Sequence, residues 1–207
     1  MAILKIYGTT RSRANRVIWM AEELGLPYET ISVDLSAPRD PEFLKVNPNG
    51  RLPAIDDDGF HLFESMAINL YLAKKHGGPL APRDMHEDAK ITQWSFWAVT
   101  ELERPGLDYL MHTMFLPPET RDASIAGKAL ETLKKPIAVL DQALEKSGHL
   151  VGERFTAADL NLAEVLRYAQ TEQELFDARP KVKAWIERCQ SRDGYKAMQA
   201  TRGKEPV

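Results

Sequence analysis

Two segments of the chain carry residue types that together could hold a small peptide. The first reads Asn47-Pro48-Asn49-Gly50-Arg51-Leu52-Pro53-Ala54-Ile55, where turn-forming residues lead into an apolar stretch. A residue before proline is driven into an extended backbone, so Leu52 keeps an N–H and a C=O that can pair with another peptide. The second segment, Glu64-Ser65-Met66-Ala67-Ile68, follows a short predicted hairpin. The pair predicts a site that clamps a peptide backbone.

The second segment stands where a helix is predicted to start. The first N–H groups of a helix have no partners within it, and Glu64 adds a carboxylate beside them. Unpaired N–H groups at a helix start attract a carboxylate, whereas Glu64 attracts an ammonium group. A zwitterionic ligand therefore fits this helix start.

An N-P-x-G-x-L-P segment followed by an E-S-x-A-I helix start resembles the soluble glutathione transferases, and the chain is identified as a bacterial-type member with a serine-type active loop. The predicted order of elements along all 207 residues agrees. The resemblance implies that Leu52 pairs through its backbone with the cysteinyl part of glutathione and that Pro53 is in the cis form. It further implies that Glu64 takes the α-amino group of glutathione and Ser65 its γ-glutamyl carboxylate.

The loop before the first predicted helix, Gly8-Thr9-Thr10-Arg11-Ser12-Arg13-Ala14-Asn15-Arg16, contains hydroxyls but no thiol. A hydroxyl at a helix N-terminus can donate a hydrogen bond to a thiolate that arrives with the ligand. Lowering a thiol pKa by one unit needs only ~1.4 kcal/mol. By resemblance to serine-type transferases Ser12 is the expected donor, and it is also a candidate helix cap. Thr10 and Thr9 remain alternatives, as does Tyr7, where many transferases carry a tyrosine.

Five arginines could set the charge around this site. By the resemblance, Arg51 and Arg39 would reach the glycyl carboxylate of glutathione. Arg11, Arg13 and Arg16 either attract an anion to the loop or are solvated surface charges, and the sequence leaves both interpretations open.

The composition narrows the function classes. With 43% hydrophobic residues, 28% charged residues and a net charge of −3, the chain is globular and has no basic footprint for nucleic acid. Its amino terminus lacks a charged region with a cleavage site, and no apolar stretch approaches the ~18 residues of a membrane span, so we expect a cytoplasmic protein without a membrane partner. One cysteine, Cys189, excludes an intrachain disulfide, and the five histidines lack ligand spacing. We expect no metal.

The hydrophobic periodicity predicts a thioredoxin-like α/β domain of order βαβ-ββα, followed by an all-α helical-bundle domain. The segment Gly77-Gly78-Pro79-Leu80-Ala81-Pro82 is the predicted linker, which gives domains at residues 1–80 and 86–207. The first domain has predicted strands at 3–7, 28–33, 52–55 and 61–63 and helices at 14–24 and 65–76.

The second domain shows helical stripes of apolar residues. Pro136 falls inside one stripe, where it predicts either a kink or a helix boundary. Thr156 and Asp159 form a predicted capping box at the head of a helix that is apolar nearly all round and therefore buried. The stripes lie at residues 91–102, 130–144, 157–169 and 182–189.

A pocket for the second substrate is expected between the domains, a common place for such pockets. Methionine and aromatic side chains make an adaptable apolar wall, although each could equally serve as a core or dimer contact. The candidates are Trp97, Arg104, Tyr109 and Met111.

These expectations point to a glutathione S-transferase that conjugates the glutathione thiolate to small apolar electrophiles in detoxification. The resemblance implies glutathione as co-substrate and a homodimer formed through the last helix of the first domain and the first helix of the second. The alternatives are a non-catalytic glutathione-binding or protein-docking member of the same fold, and a glutathione-dependent peroxidase or isomerase.

Overall fold

The computed structural model describes residues 3–203, so the outermost residues of both predicted domains, 1–2 and 204–207, lie outside the described residues. The described residues form two compact units. The N-terminal unit contains those of residues 1–81 and 190–207, and the helical unit contains residues 82–189. The first segment of the N-terminal unit ends at Ala81, one residue after the predicted end of the first domain at residue 80. The units differ from the predicted domains mainly at residues 190–203, which pack with the N-terminal unit.

A four-stranded sheet of order β2-β1-β3-β4 forms the centre of the N-terminal unit. The first two strands are parallel, β3 pairs antiparallel with β1, and β4 pairs antiparallel with β3, as the predicted βαβ-ββα order requires. The predicted second strand runs two residues too far, to residue 33, and the predicted third strand, 52–55, is shifted by two residues at both ends. The strands are β1 (Leu4–Tyr7), β2 (Tyr28–Ile31), β3 (Ala54–Asp57) and β4 (Phe60–Phe63).

Helices α1 (Ala14–Leu24) and α3 (Ser65–His76) begin and end where the sequence predicted. Their apolar residues pack on each other and on the buried side chains of the strands. A short helix, α2 (Pro41–Val46), lies between β2 and β3 and was not predicted. Its start carries a recognisable signal, because the Asp40 side chain accepts from the Glu42 N–H and proline occupies the first helical position.

The last helix, α10 (Asp193–Arg202), packs on α1 inside the N-terminal unit. Arg192 donates two hydrogen bonds to Glu23 Oε2, from Nε at 3.0 Å and from Nη2 at 2.7 Å. The indole N–H of Trp19 donates to Glu23 Oε1 at 3.0 Å, and its ring meets that of Tyr195 edge-on at 4.9 Å. An ion pair and an aromatic pair therefore attach α10 to α1.

The helical unit is built from α-helices with two π-helical interruptions, one after α4 and one after α5. Pro136 lies inside a continuous helix, so of the two alternatives the helix boundary is wrong. The helices are α4 (Met85–Trp97), α5 (Arg104–Leu110), α6 (Ala123–Ala143), α7 (Ala157–Leu166), α8 (Gln173–Asp177) and α9 (Pro180–Gln190).

Helix α7 is the buried centre of this unit, as its composition predicted. The predicted capping box is confirmed, with the Thr156 N–H donating to Asp159 Oδ2 at 3.0 Å. The other carboxylate oxygen of Asp159 accepts from Trp185 Nε1 at 2.9 Å and from the Leu150 N–H at 3.1 Å. One buried carboxylate therefore joins the start of α7 to α9 and to the preceding loop.

Candidate active site

The loop before β3 presents an extended backbone edge. The Leu52–Pro53 peptide is cis, which confirms the prediction drawn from the resemblance. Buried Asn47 shapes the loop, because its Nδ2 donates to the Arg51 carbonyl at 2.7 Å and its Oδ1 accepts from the Asn49 N–H at 3.0 Å. Within residues 3–203 no hydrogen bond involves the N–H or C=O of Leu52. The edge is therefore open to another peptide.

Arg39 ties the loop between β2 and α2 to this edge. Its Nε donates to the Gly50 carbonyl at 2.9 Å, and its Nη1 donates to the carbonyls of Asp34 at 3.2 Å and Ala37 at 2.8 Å. Arg51, in the same loop, is exposed. Arg39 thus holds main-chain groups together, and contact of either arginine with a glycyl carboxylate remains a prediction.

Helix α3 is preceded by a strained residue. Glu64 has φ +72° and ψ 111°, a backbone conformation that non-glycine residues rarely adopt, and such strain clusters at ligand sites. Glu64 is exposed, whereas Ser65 is buried. No side chain caps the first turn of α3. An exposed carboxylate and open N–H groups stand together, as a zwitterionic ligand needs.

Arg16 of α1 lies beneath the start of α3. Unlike Arg11 and Arg13, which are exposed, Arg16 is only 1% exposed. Its Nη1 donates to Ser65 Oγ at 3.2 Å, and its carbonyl accepts from Asn69 Nδ2 at 3.2 Å. The sequence grouped the three arginines together and missed this contact. The sequence signal for the burial of Arg16 was its position, because Arg16 lies in the same predicted helix as a stripe of core residues.

Ser12 lies at the entrance to α1, half-buried. Its Oγ accepts from the Ala14 N–H at 3.1 Å and donates to the Thr9 carbonyl at 2.9 Å. The first is a local bond to the backbone two residues ahead, and because the N-cap of α1 is Arg13, without a side-chain cap bond, Ser12 is not the helix cap. The second holds the hydroxyl proton, so donation to a ligand thiolate requires the O–H to turn away from Thr9.

Gly8 allows the Ser12 hydroxyl and the Leu52 side chain to approach each other. A Cβ at Gly8 would lie 2.8 Å from Ala14 Cβ, 3.0 Å from Ser12 Oγ and 3.4 Å from Leu52 Cδ1. The φ of +117° at Gly8 is also one that side chains disfavour. The proposed thiolate donor and the proposed peptide clamp therefore flank one glycine.

The other candidate donors have different surroundings. The Tyr7 ring packs on Phe43 of α2 at 5.4 Å between centroids, and burial raises the pKa of Tyr7. Thr10 is almost fully buried, and Thr9 is half-buried. Tyr7 thus belongs to the α2 side of the sheet, where it lines a cleft of about 260 Å³ with Ser32 and other residues.

Two predicted electrophile-pocket residues lie at π-helical stretches of the helical unit. Trp97 precedes Ala98–Glu103, and half-buried Met111 begins Met111–Phe115. The Trp97 ring meets that of Trp94 edge-on at 5.1 Å. Because π-helical turns occur often at functional sites, this segment is compatible with the prediction.

The other two predicted pocket residues make contacts within the helical unit. Arg104 is highly exposed and donates to Asp108 Oδ2 at 2.9 Å. Buried Tyr109 donates to Glu172 Oε2 at 3.1 Å, and burial raises the pKa of Tyr109. These contacts leave their pocket role as a prediction.

Neither a metal cluster nor a membrane span stands out in the part of the chain that the structure describes. Among residues 3–203, no group of three or more His, Cys, Asp or Glu side chains could hold a metal ion. No helix in the same range is long and apolar enough to cross a membrane.

Comparison with known families assigns both halves of the chain. Residues 2–74 match the family described as Glutathione S-transferase, N-terminal domain. Residues 107–193 match Glutathione S-transferase, C-terminal domain. The two matches together cover more than half of the chain.

Individual relatives extend over nearly the whole length. Glutathione S-transferase F13 of Arabidopsis thaliana is 33% identical over 203 residues, with 93% of each chain covered. The disulfide-bond oxidoreductase YfcG of Escherichia coli (strain K12) is 35% identical over 215 residues, with 98% of each covered. Plant and bacterial relatives both match, so they do not restrict the chain to a bacterial branch.

Among solved structures, glutathione S-transferase I from maize in complex with an atrazine glutathione conjugate superposes with a TM-score of 0.89. The two chains are 29% identical, and the match covers 99% of this chain and 100% of the maize chain. The likeness therefore extends over both units.

Proposed function

The chain belongs to the glutathione S-transferase family and is a glutathione-dependent transferase, and on this basis we propose that it is a serine-type enzyme in which Ser12 stabilises the glutathione thiolate. The observation that carries the proposal is the approach of Ser12 Oγ and Leu52 around Gly8. If Leu52 pairs with the cysteinyl backbone of glutathione, the cysteinyl sulfur lies close to its backbone and therefore close to Ser12.

The rest of glutathione would extend from this point toward α3. We assign the α-amino group to the Glu64 carboxylate and the γ-glutamyl carboxylate to the Ser65 hydroxyl and the N–H groups of the first turn of α3. Arg51 and Arg39 are assigned to the glycyl carboxylate. Each assignment pairs a charge on glutathione with the opposite charge or with a donor.

The thiolate carries the chemistry in this proposal. The Ser12 hydroxyl turns from the Thr9 carbonyl to the sulfur and keeps its lone-pair contact with the Ala14 N–H. Its donated hydrogen bond and the N-terminus of α1 lower the thiol pKa, so the proton leaves to solvent. The thiolate then attacks an electrophilic carbon, and the leaving group takes the bonding electron pair. Holding both reactants together supplies the remaining acceleration.

We further propose that the electrophile is small and apolar and contacts Trp97, Arg104, Tyr109 and Met111. The proposal is supported by the position of these four residues in one segment that contains two π-helical stretches. Aromatic and methionine side chains there can adapt to substrates of varied shape. Detoxification of such electrophiles in the cytoplasm is the corresponding physiological proposal.

A homodimer is part of the same proposal. Helix α4 carries two apolar residues that are unusually exposed, Met85 at 87% and Phe96 at 63%. They lie eleven positions apart, about three turns, and therefore on one helix face. An exposed apolar face of this kind is typical of an interface, and sedimentation of the purified protein tests it.

Calorimetric titration with glutathione tests the proposed site. We expect wild type to bind, Glu64→Ala to abolish binding at the same ligand concentration, and Ser12→Ala to bind but conjugate slowly. Glu64→Gln is the matched control, since it keeps the size of the side chain and removes only its charge. Wild type that fails to bind at millimolar glutathione would refute the proposal and favour a docking protein of the same fold.

A second activity, reduction of small disulfides, is favoured by the identity to the E. coli oxidoreductase. Cys189 is the single cysteine and is buried, so the electrons would come from glutathione itself. The bound thiolate would attack one sulfur of the disulfide and displace the other as a thiolate. A second glutathione would then release the first product as oxidised glutathione. Turnover of a small disulfide with glutathione tests this activity, and failure of Ser12→Ala to slow it would separate it from conjugation.

A further inference from the structure

A compact loop joins α5 to α6 in the helical unit, and a histidine closes it. The backbone N–H of Asp122 donates to His112 Nδ1 at 3.0 Å, although the two residues are ten positions apart. The Asp122 carboxylate caps α6, because its Oδ1 accepts from the Ser124 N–H at 2.8 Å. His112 lies in the π-helical stretch Met111–Phe115. Asp122 therefore bonds the start of α6 through its carboxylate and the preceding helical stretch through its N–H.

Arg121 fixes the inside of the same loop. Its Nη2 donates to the Met114 carbonyl at 2.7 Å, and its Nε donates to the Leu116 carbonyl at 2.8 Å. The last carbonyls of a helix have no donor within it, so the guanidinium supplies what the end of the π-helical stretch lacks. A short turn, Pro118–Thr120, completes the loop. Compact loops whose ends meet are frequently functional, and this one is closed by one guanidinium and one imidazole.

The contact between Asp122 and His112 exists in only one protonation state of the ring. A backbone N–H can only donate, so His112 Nδ1 must accept and must carry no proton. In the neutral ring the proton then lies on Nε2. In the charged ring both nitrogens are donors, and two N–H groups would face each other. Histidine is the side chain that ordinarily changes charge between about pH 5 and pH 8, so mild acid breaks this closure.

Charged groups near the ring determine when it gains its proton. The elements that pack on the π-helical stretch are α5 and α6, and α5 carries an ion pair between Arg104 and Asp108 at 2.9 Å. The nearby carboxylates attract the proton and the nearby cations repel it, whereas the bond from Asp122 requires the neutral ring at any pH. The charged groups on these elements and in the loop are Arg104, Asp108, Glu119, Arg121, Asp122 and Lys128.

We propose that His112 is a pH-sensitive latch for the electrophile pocket: its neutral ring closes the loop and holds the π-helical stretch, and its protonated ring opens the loop. Met111 is the neighbour of His112 and is assigned to that pocket, so the effect on catalysis rests on the proposed function. Met114 and Phe115 are 52% and 64% exposed, so little packing holds the loop once its closure is lost. Opening therefore weakens the binding of the electrophile.

Two variants reproduce the two states of the latch. Asparagine has an acceptor oxygen at about the position of Nδ1 and does not titrate, so His112→Asn should keep the loop closed at every pH. His112→Leu has no acceptor and should keep the loop open. His76→Asn removes an exposed histidine at the end of α3 and is the matched control.

The direct readout is nuclear magnetic resonance of the isotope-labelled protein from about pH 8 to about pH 5. At the higher pH, His112 of wild type should carry its proton on Nε2. As the pH falls, the Asp122 amide resonance should move to its position in His112→Leu, whereas in His112→Asn it should stay. A proton on Nδ1 at the higher pH, or an Asp122 amide that does not titrate, overturns the proposal. Wild type alone gives both results, so the test does not depend on the folding of a variant.

The kinetic readout is KM for the electrophile at saturating glutathione. At about pH 8, His112→Leu should raise this KM about fivefold over wild type, an effect that one neutral hydrogen bond allows, and His112→Asn should not. At about pH 5 the KM of wild type should approach that of His112→Leu. Comparison of the proteins at one pH removes the effect of thiol ionisation, and the Kd of glutathione should be the same in all of them.

Equal KM values in wild type and His112→Leu at the higher pH would show that the loop does not act on the pocket, and this result also overturns the proposal. A wild type that conjugates no electrophile would instead refute the proposed function. The titration of the Asp122 amide would still decide whether His112 opens the loop, so the two failures are distinguishable.

Discussion

Replacing Ser12 by alanine should raise the pKa of the bound glutathione thiol by about one unit. A hydrogen bond to a charged group contributes ~1.5–3 kcal/mol, and the neutral bond that Ser12 gives up at the Thr9 carbonyl contributes ~0.5–1.5 kcal/mol. The difference, ~1–2 kcal/mol, corresponds to about one pKa unit. Without the competing carbonyl the expected shift would be larger, so Thr9 limits the effect.

The assay is the ultraviolet absorbance of the thiolate in the complex, titrated against pH, together with conjugation kinetics. At a pH well below the pKa of the bound thiol, a rise of one pKa unit lowers the thiolate fraction about tenfold. At saturating glutathione, kcat/KM for the electrophile should therefore fall by about the same factor. At high pH the two proteins should converge, because both thiols are then ionised.

Two variants separate this effect from changes in folding. Ser12→Thr keeps a hydroxyl and should retain most of the lowered thiol pKa, whereas Ser12→Ala also loses the hydrogen bond from the Ala14 N–H and should be less stable by ~1 kcal/mol. Tyr7→Phe should leave the thiol pKa unchanged, because the Tyr7 ring packs on Phe43. An unshifted titration in Ser12→Ala, or a shifted one in Tyr7→Phe, would refute the reasoning.

Three further predictions concern the scaffold. Hydrogen bonds from Arg154 lower the pKa of Glu87 from 4.5 to about 2, so Glu87→Gln should cost ~2 kcal/mol after allowance for solvent screening. That cost should be present above pH 4.5 and disappear as pH falls toward about 2, and denaturant titrations showing no such pH dependence would contradict it. Asp159→Ala should lower the free energy of unfolding by ~3 kcal/mol, because it leaves the N–H groups of Thr156, Trp185 and Leu150 without their acceptor; a loss below 1 kcal/mol would argue against it. Gly8→Ala should cost ~2 kcal/mol and raise KM for glutathione, and unchanged kinetics would show that the loop can relax.

Local signals predicted most of the N-terminal unit. Helix α1 ends at Gly25, whose left-handed conformation was expected of a glycine after the last apolar position. The cis Leu52–Pro53 peptide bond was predicted from the family resemblance alone, because most X–Pro bonds in folded proteins are trans. Helix α2 was missed although Asp40 and Pro41 mark its start, since six residues give too short a periodic pattern.

The candidate site was predictable where chemistry follows from residue type and not where it follows from packing. Glu64 and Ser65 were identified from their motif, but the positive φ of Glu64 has no sequence signal. Arg16 was read with its exposed neighbours because arginine is seldom buried. Its burial depends on α3, which lies some fifty positions further along the chain, and periodicity within α1 cannot report that contact.

The contact between α10 and α1 also determines when the N-terminal unit can be completed during synthesis. Arg192 and Glu23 are 169 positions apart, so the ribosome must make nearly the whole protein before they can meet. Until then Trp19 lacks its stacking partner Tyr195, and the helix that presents Ser12 has one side uncovered. A fragment ending at residue 81 would remain permanently in that incomplete condition. The N-terminal unit is therefore discontinuous in the chain, and grafting it elsewhere as a self-contained module would require α10 to be carried along.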